Sequence, residues 1–313
     1  MHLENGEGFA QLNLRLALQL ANPHSWVASA IPALFAACYC AVKGYPLGVP
    51  KAVLLTAACI LLQSAVNTLN DYYDFVNGTD SASDHVAVED AALVYGGIHP
   101  KSALRLGIAF LAAGAALGLL CCRGVAPLLI GAMGGAAVLF YSAGPLPISY
   151  LPCGELISGF VMGGLIPLGV TACADGRLHP AVLLWSLPFI LGIALIMMTN
   201  NGCDIEKDAK AGRHTLPRLL GREGTVFLYR VQSMMWLLLL AVLPVLLLGP
   251  VGLAGPVLAA ALGRKHIRRL LQMRLEPEKR IAQMGTIVRT NLLGNGAYVA
   301  ALLLALLAGG PHG

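Results

Sequence analysis

The sequence predicts an all-α polytopic membrane protein, a bundle of about nine transmembrane helices forming one domain over the whole chain. Three observations predict it. Of the 313 residues, 57% are hydrophobic and only 12% are charged, against about 25% charged in soluble domains. The apolar residues fall in unbroken runs near the roughly 20 residues that cross the hydrocarbon core as helix, and they do not alternate as the strands of a membrane barrel do. Finally, 17 of the 21 Lys and Arg residues lie near the N-terminus and in or beside every second connection, the asymmetry that marks loops on the cytoplasmic side.

Taken in order, an amphipathic start at 12–20 is broken at Asn22-Pro23 and leads into a first span at about 25–42. Residues 43–50 make a turn, and a second span starts near 52. Spans at about 103–121, 125–142, 154–173, 181–199, 227–248, 251–263 and 291–308 complete the set. The loops at about 70–102, 202–225 and 264–289 carry most of the charge and are expected in the cytoplasm, as is the short connection at 143–153. Residues 1–14 contain Glu4 and Glu7 and no basic stretch, so no cleavable signal peptide is expected. The eight cysteines sit mostly inside apolar runs without histidines at zinc-ligand spacing, and read as small apolar fillers.

The second span runs into Asn67-Thr68-Leu69-Asn70-Asp71-Tyr72-Tyr73-Asp74, continuing to Gly78 and Asp80. Asn67, Asn70, Asp71 and Asp74 fall at offsets that share one helical face. Amides and carboxylates stacked at the mouth of an apolar helix are costly unless a cation sits among them. Mg²⁺ fits that need, because it takes oxygen ligands from one or two carboxylates and completes its shell with water and phosphate. The simpler reading is a polar helix end that caps and solvates itself.

A second cluster changes the balance. Asn200, Asn201, Asp204 and Asp208 again lie at offsets of one helical face, on the same side of the membrane by the distribution of charge. Two facing carboxylate clusters repel unless cations bridge them. An anionic substrate held through Mg²⁺ resolves the repulsion, with Lys207, Lys210 and Arg213 close enough in sequence to hold phosphate oxygens. The chemistry this suits is ionisation of an allylic diphosphate: cations stabilise the departing pyrophosphate while apolar helix walls shield the carbocation from water.

Asn70-Asp-x-x-Asp74 with Gly78-x-Asp80, and Asn200-Asn201-x-x-Asp204-x-x-x-Asp208 with Gly212-Arg-His-Thr-Leu, resemble the two motifs of the UbiA superfamily of intramembrane prenyltransferases. Tyr141-Ser-Ala-Gly-Pro-Leu-Pro, followed by Tyr150 and Gly154-Glu155, is similar to the branch that prenylates dihydroxynaphthoate for menaquinone. The resemblance spans residues 20–300. It implies a nine-helix bundle with Mg²⁺ between the motifs, and a site in a bacterial cytoplasmic membrane facing the cytoplasm. By it, Asn70, Asp74, Asp204 and Asp208 match metal-binding and catalytic positions, joined by Asp71 and Asp80 as ligands and Tyr141 as a catalytic group. Asn67, Asn200, Asn201, Lys207, Lys210, Arg213 and His214 are then expected around the diphosphate.

The implied activity is Mg²⁺-dependent transfer of a polyprenyl group from its diphosphate to an aromatic acceptor, 1,4-dihydroxy-2-naphthoate. Membrane lipid is the expected surrounding and no nucleic-acid partner is expected. Other acceptors remain open within the superfamily: a hydroxybenzoate, a porphyrin-type ring or a sugar phosphate. So do a transporter and a non-catalytic prenyl-lipid binder. Acidic residues at helix ends, rather than within spans, favour the enzyme.

The chain departs from the family pattern in its cations. No Lys or Arg falls between Lys51 and Lys101, where the family usually places one, and His85 is the only substitute. Cys203 stands where an Arg is frequent, and Arg213-His214 replaces a common Lys-Arg pair. Glu155 could orient an acceptor hydroxyl or act as a structural partner for a loop amide. The Arg264–Arg280 cluster reads as an anchor to anionic headgroups.

Overall fold

The computed structural model describes residues 9–78, 93 and 97–309. Every element among the described residues longer than an isolated bridge is helical. Helix α1 (Leu14–Ala21) is capped by Asn13, whose side chain accepts from the Leu16 amide at 3.0 Å. It ends at Asn22 in the left-handed region, with Pro23 next, so the chain turns instead of continuing the helix. α2 (Val27–Val42) follows at a 60° bend. α3 (Val49–Val76) begins with a proline in its first turn and runs without interruption into the first polar motif. α4 (Pro100–Cys121) starts under a cap from His99, and Gly124, at φ 85°, separates it from α5 (Val125–Ser142).

α6 (Gly154–Asp175) contains one π-helical turn, Val161–Leu165. The packing at this turn is close: a Cβ on Gly163 would lie 2.3 Å from the Ile190 nitrogen, so only glycine lets the next membrane helix approach. That helix, α8 (Leu187–Cys203), is preceded by the short α7 (Ala181–Trp185) and followed by the short α9 (Ile205–Lys210). α10 (Leu216–Leu248) kinks at Gly221, α11 (Ala254–Leu271) returns beside it, and α12 (Arg280–Leu307) closes the bundle.

Among the described residues, six helical stretches are long and apolar enough to cross a membrane, or seven if the bent pair is one span. That is fewer than the nine the sequence pattern suggests. The difference lies in α8, with only 17 residues, and in α10 and α11, which together make one 56-residue stretch. The third charged segment is also shorter than expected, because α11 carries its helix on to Leu271 and α12 begins at Arg280.

The core is packed by aromatic rings of α2, α8 and α12: Phe35 lies 4.5 Å from Phe189 and 5.3 Å from Tyr298, ring centre to ring centre. Trp236 of α10 is fully buried and points its indole N–H at Asn295 of α12, 3.4 Å away, which in turn donates to Asn291 at 2.8 Å. This chain of side-chain hydrogen bonds ties α10 to α12 inside the bundle, and it leaves the Asn291 amide nitrogen buried without a partner among the described residues. By contrast, much of α4 and α5 is open to the outside or to a large internal cavity.

Candidate active site

One cavity of about 1470 Å³ contains most of the chemistry. Its polar end is made by the last turns of α3 and α8, and its apolar part runs back along α3 to Leu55, between α3, α4 and α5. From Asp74 to Leu55 this is about 28 Å of helix. The trough is wide because of small residues on α5: a Cβ on Gly131, Gly134 or Gly135 would meet no atom within 4 Å, and all three line the cavity.

The first motif keeps its single face because α3 is continuous. Asn70 donates to Asp74 Oδ2 at 2.8 Å, one turn along, and its carbonyl oxygen accepts from Ser142 at the end of α5, also at 2.8 Å. Asp71 accepts from the Leu93 amide at 3.3 Å. Asn67 is engaged differently from the expectation. Its amide nitrogen donates to Ala21 O at 2.8 Å and Ser25 Oγ at 2.7 Å, while its oxygen accepts from Gln63. It still borders the cavity, but its hydrogen bonds fasten α1 and the following turn to α3.

The second motif does not form one helical face. α8 stops at Cys203, Asp204 sits at φ −101° and ψ 16° between two helices, and α9 starts afresh at Ile205. Asp204 lines the cavity, whereas Asp208, 1% exposed, does not and sits behind Arg213. Asp208 accepts from Thr215 Oγ1 at 2.9 Å and lies 3.8 Å from the Arg213 guanidinium. Burial pushes the Asp208 carboxyl up to about 6, with Arg213 and Thr215 pulling against it.

Asn201 donates to Glu155 Oε1 at 2.8 Å, so its carbonyl oxygen is left toward Asn200, which donates to it at 3.3 Å. Glu155 is 2% exposed and partners this amide at the end of α8, not an amide of a loop.

Two arginines hold the polar end together. Arg213 donates to Asp74, faces Asp208, and lies over the Tyr150 ring at 4.9 Å. Burial works against its charge, but Asp74 and Asp208 more than offset this and raise its pKa. Arg280, at the start of α12, donates to both Asp204 oxygens at 3.1 and 3.2 Å and to the Asn200 carbonyl. It is 6% exposed, so it is not the headgroup anchor expected from its neighbours in sequence. It brings to Asp204 the cation that Cys203, itself buried, does not supply.

Asn70, Asp71, Asp74, Tyr141, Asn200, Asn201, Asp204, Lys207 and Arg213 thus share the cavity, with Arg280 added. Lys210 and His214 are exposed and do not line it; the His214 amide instead binds Tyr150 O at 2.8 Å. Asp80 and His85 lie outside the described residues.

For a metal, no group of three or more His, Cys, Asp or Glu is close enough to cage an ion among the described residues. What faces the cavity is a pair of oxygen-bearing helix ends, Asn70 and Asp74 opposite Asn200, Asn201 and Asp204. Such a donor set fits Mg²⁺, which needs few protein carboxylates when phosphate and water fill the remaining positions.

The profile of the UbiA prenyltransferase family matches residues 29–293. A 1,4-dihydroxy-2-naphthoate octaprenyltransferase of Bacillus subtilis is 35% identical over 212 residues, 67% of each chain. The human UbiA prenyltransferase domain-containing protein 1 is 27% identical over 262 residues, covering 82% of this chain and 74% of its own. Among solved structures, a UbiA homolog from Archaeoglobus fulgidus superposes with a TM-score of 0.63 at 17% identity, over 93% of this chain and 99% of that one. The same homolog bound to GPP and Mg²⁺ gives 0.61 at 18% identity, over 91% and 99%. The polar helix ends and the trough between them therefore stand in a known setting: the chain belongs to the UbiA prenyltransferase family.

Proposed function

We propose that the chain transfers a polyprenyl group from its diphosphate to 1,4-dihydroxy-2-naphthoate, with Mg²⁺ as cofactor and the polar end of the bundle facing the cytoplasm of a bacterial cell. The observation that carries this is the continuity of one cavity, which runs about 28 Å along α3 from the Asn/Asp helix ends at Asp74 into an apolar trough ending at Leu55. A diphosphate fits the first part and a prenyl chain the second. The acceptor is taken from the Bacillus subtilis relative, and the metal from the Archaeoglobus fulgidus homolog with GPP and Mg²⁺.

Asn70, Asp74 and Asp204, with Asn200 and Asn201 beside them, would hold Mg²⁺, which supplies positive charge to the departing pyrophosphate. Arg280, Arg213 and Lys207 offer their N–H groups to diphosphate oxygens, and the two arginines in doing so exchange carboxylate partners for phosphate. The C–O bond to the diphosphate breaks with its electron pair leaving on pyrophosphate. The walls of α3, α4 and α5 keep water from the allylic cation, and the Tyr141 ring lies at the boundary between polar and apolar parts, where its face can stabilise positive charge. The ring carbon that bears the carboxylate attacks. A C–C bond forms, the carboxylate leaves as CO₂, and its bonding pair restores the aromatic ring. Asp208, beneath Arg213, sets the position of that guanidinium.

The test is direct. Purified protein with geranylgeranyl diphosphate and dihydroxynaphthoate is expected to yield a prenylated, decarboxylated product by mass spectrometry, lost with EDTA and in Asp74→Ala. Pyrophosphate released without that product would retain the donor chemistry and reassign the acceptor. Neither product would overturn the proposal.

A further inference from the structure

The far end of the trough carries side chains that the transfer chemistry does not use. Leu55 of α3, Leu119 of α4, Cys122, Pro127 of α5, and Val170 and Cys173 of α6 line it there. Cys122 lies in the turn after α4 and is half-buried, whereas Cys173 is buried, two residues before the end of α6. Both are free thiols in the structure.

The fold brings these two together. The α4–α5 turn and the end of α6 touch backbone to backbone, through a glycine on each side. A Cβ on Gly124 would lie 3.2 Å from Gly176 O, and one on Gly176 only 2.5 Å from Arg123 O. Beside this contact Cys122 packs against a small core cluster that includes Cys173, and the two thiols are hydrogen-bonding neighbours. A disulfide needs Cα atoms about 4.4–6.8 Å apart and side chains turned toward each other. Thiols already in contact meet the second requirement.

The surroundings suit thiol chemistry. Lys51 of α3 sets its ammonium on the Cys173 carbonyl at 2.8 Å, and the exposed Arg123 follows Cys122. Asp175, the carboxylate close by on α6, is engaged by the Arg177 amide and by His179. Nearby cations favour the thiolate, which is the form that attacks a disulfide. A cysteine that only fills space is buried and inert, but Cys122 stands at a turn where a reagent reaches it. α4 packs chiefly against α3, so a bond from Cys122 to Cys173 would fasten the α4–α5 hairpin directly to α6.

We propose that Cys122 and Cys173 form a dithiol–disulfide site, oxidised by a disulfide-bearing oxidant, whose closure fixes the far end of the trough. Cys122 attacks one oxidant sulfur as the thiolate, giving a mixed disulfide. The other oxidant sulfur leaves as a thiolate and takes up the proton that Cys122 lost. Cys173 then gives up its proton, attacks the Cys122 sulfur and expels the second oxidant thiol. Two cysteine thiols are oxidised to one disulfide, and one oxidant disulfide is reduced to two thiols. On the orientation proposed above, this end faces away from the cytoplasm, where disulfides form and persist. Only the compartment rests on that reading.

The full chain in detergent is equilibrated with glutathione disulfide, quenched with acid, alkylated in denaturant with N-ethylmaleimide and digested for mass spectrometry. A Cys122–Cys173 linked peptide is expected, with alkylation lost at both positions and restored by dithiothreitol. Cys173→Ser should instead retain glutathione on Cys122, because nothing resolves the mixed disulfide. Cys122→Ser should leave the buried Cys173 unmodified. The oxidised wild type should unfold several degrees above the reduced protein, a shift absent from both variants. No linked peptide, or one that joins Cys59 or Cys121 instead, overturns the site. A Cys122–Cys173 link with an unchanged unfolding midpoint overturns the closure. The same trapping in intact cells tests the orientation separately: a pair that links in detergent but stays reduced in cells upholds the site and overturns the outward placement of this end.

Discussion

Arg213 donates to Asp74 across 139 residues of sequence, and with Asp208 on its other side it joins the ends of the two acidic motifs. Two carboxylate clusters brought together at the mouth of an apolar cavity need a cation between them. The protein carries one of its own, so the site can stay assembled before metal and substrate arrive.

Removing that cation should be costly. Breaking a buried ion pair by deleting one partner typically costs about 3–5 kcal/mol, and Arg213 has two partners. Arg213→Ala is expected to lower the thermal unfolding midpoint and to reduce kcat/KM for the donor by about a hundredfold or more. Arg213→Lys keeps charge but loses the fork and the contact with Tyr150, and should fall between the two. An Arg213→Ala protein with wild-type stability and kinetics would disprove the bridging role.

Arg280 makes a separate prediction, because its partners are Asp204 and Asn200. Hydrogen bonds to charged groups contribute about 1.5–3 kcal/mol. Arg280→Gln is accordingly expected to raise the donor KM by about tenfold to a hundredfold while changing the acceptor KM little. Steady-state kinetics with each substrate varied in turn would check it, and an effect confined to the acceptor would refute it.

How far these relationships could be read from sequence depends on whether they are local. Asn70 and Asp74 were legible because four residues of uninterrupted α3 keep them on one face. Asn200 to Asp208 have the same spacing, yet the helix breaks at Asp204. Asn and Asp compete with the backbone for hydrogen bonds near a helix end, and the break sends Asp208 under Arg213. Arg280 was illegible for another reason. It pairs with Asp204 across 76 residues, a tertiary contact with no periodic trace, and its basic neighbours give it the look of a headgroup anchor. Asn67 has the right face of α3, but the chain before α2 folds back onto it, and only the fold shows that return.

Asp208 yields a prediction in pH. Its folded pKa, about 6, is above the ordinary carboxylate value of 3.8, so protonation favours the folded state. The penalty for ionising it is absent below about pH 4, grows from there to pH 6, and is fully present above. In metal-free detergent this amounts to a few kcal/mol of stability lost between those values. Asp208→Asn, which can still accept from Thr215, should remove that part of the slope. Unfolding midpoints of both proteins from pH 4 to 7 would show it, and parallel curves would count against the assignment.

The glycine wall of α5 makes the last prediction. Gly134 lies seven residues before Tyr141, about 10 Å along the helix from the polar end, and a Cβ there meets open space. A larger side chain at this position would project into the trough without displacing a neighbour, so folding should be little affected. Gly134→Leu is then expected to preserve turnover of a short donor such as dimethylallyl diphosphate and to depress kcat/KM for geranylgeranyl diphosphate by at least about tenfold, because the longer chain must pass or bend around the new side chain. Competition between the two donors, read by product mass, gives the ratio directly. An unchanged ratio in a folded variant would mean that the prenyl chain does not run along α5, and would move it to the wall formed by α3 and α4.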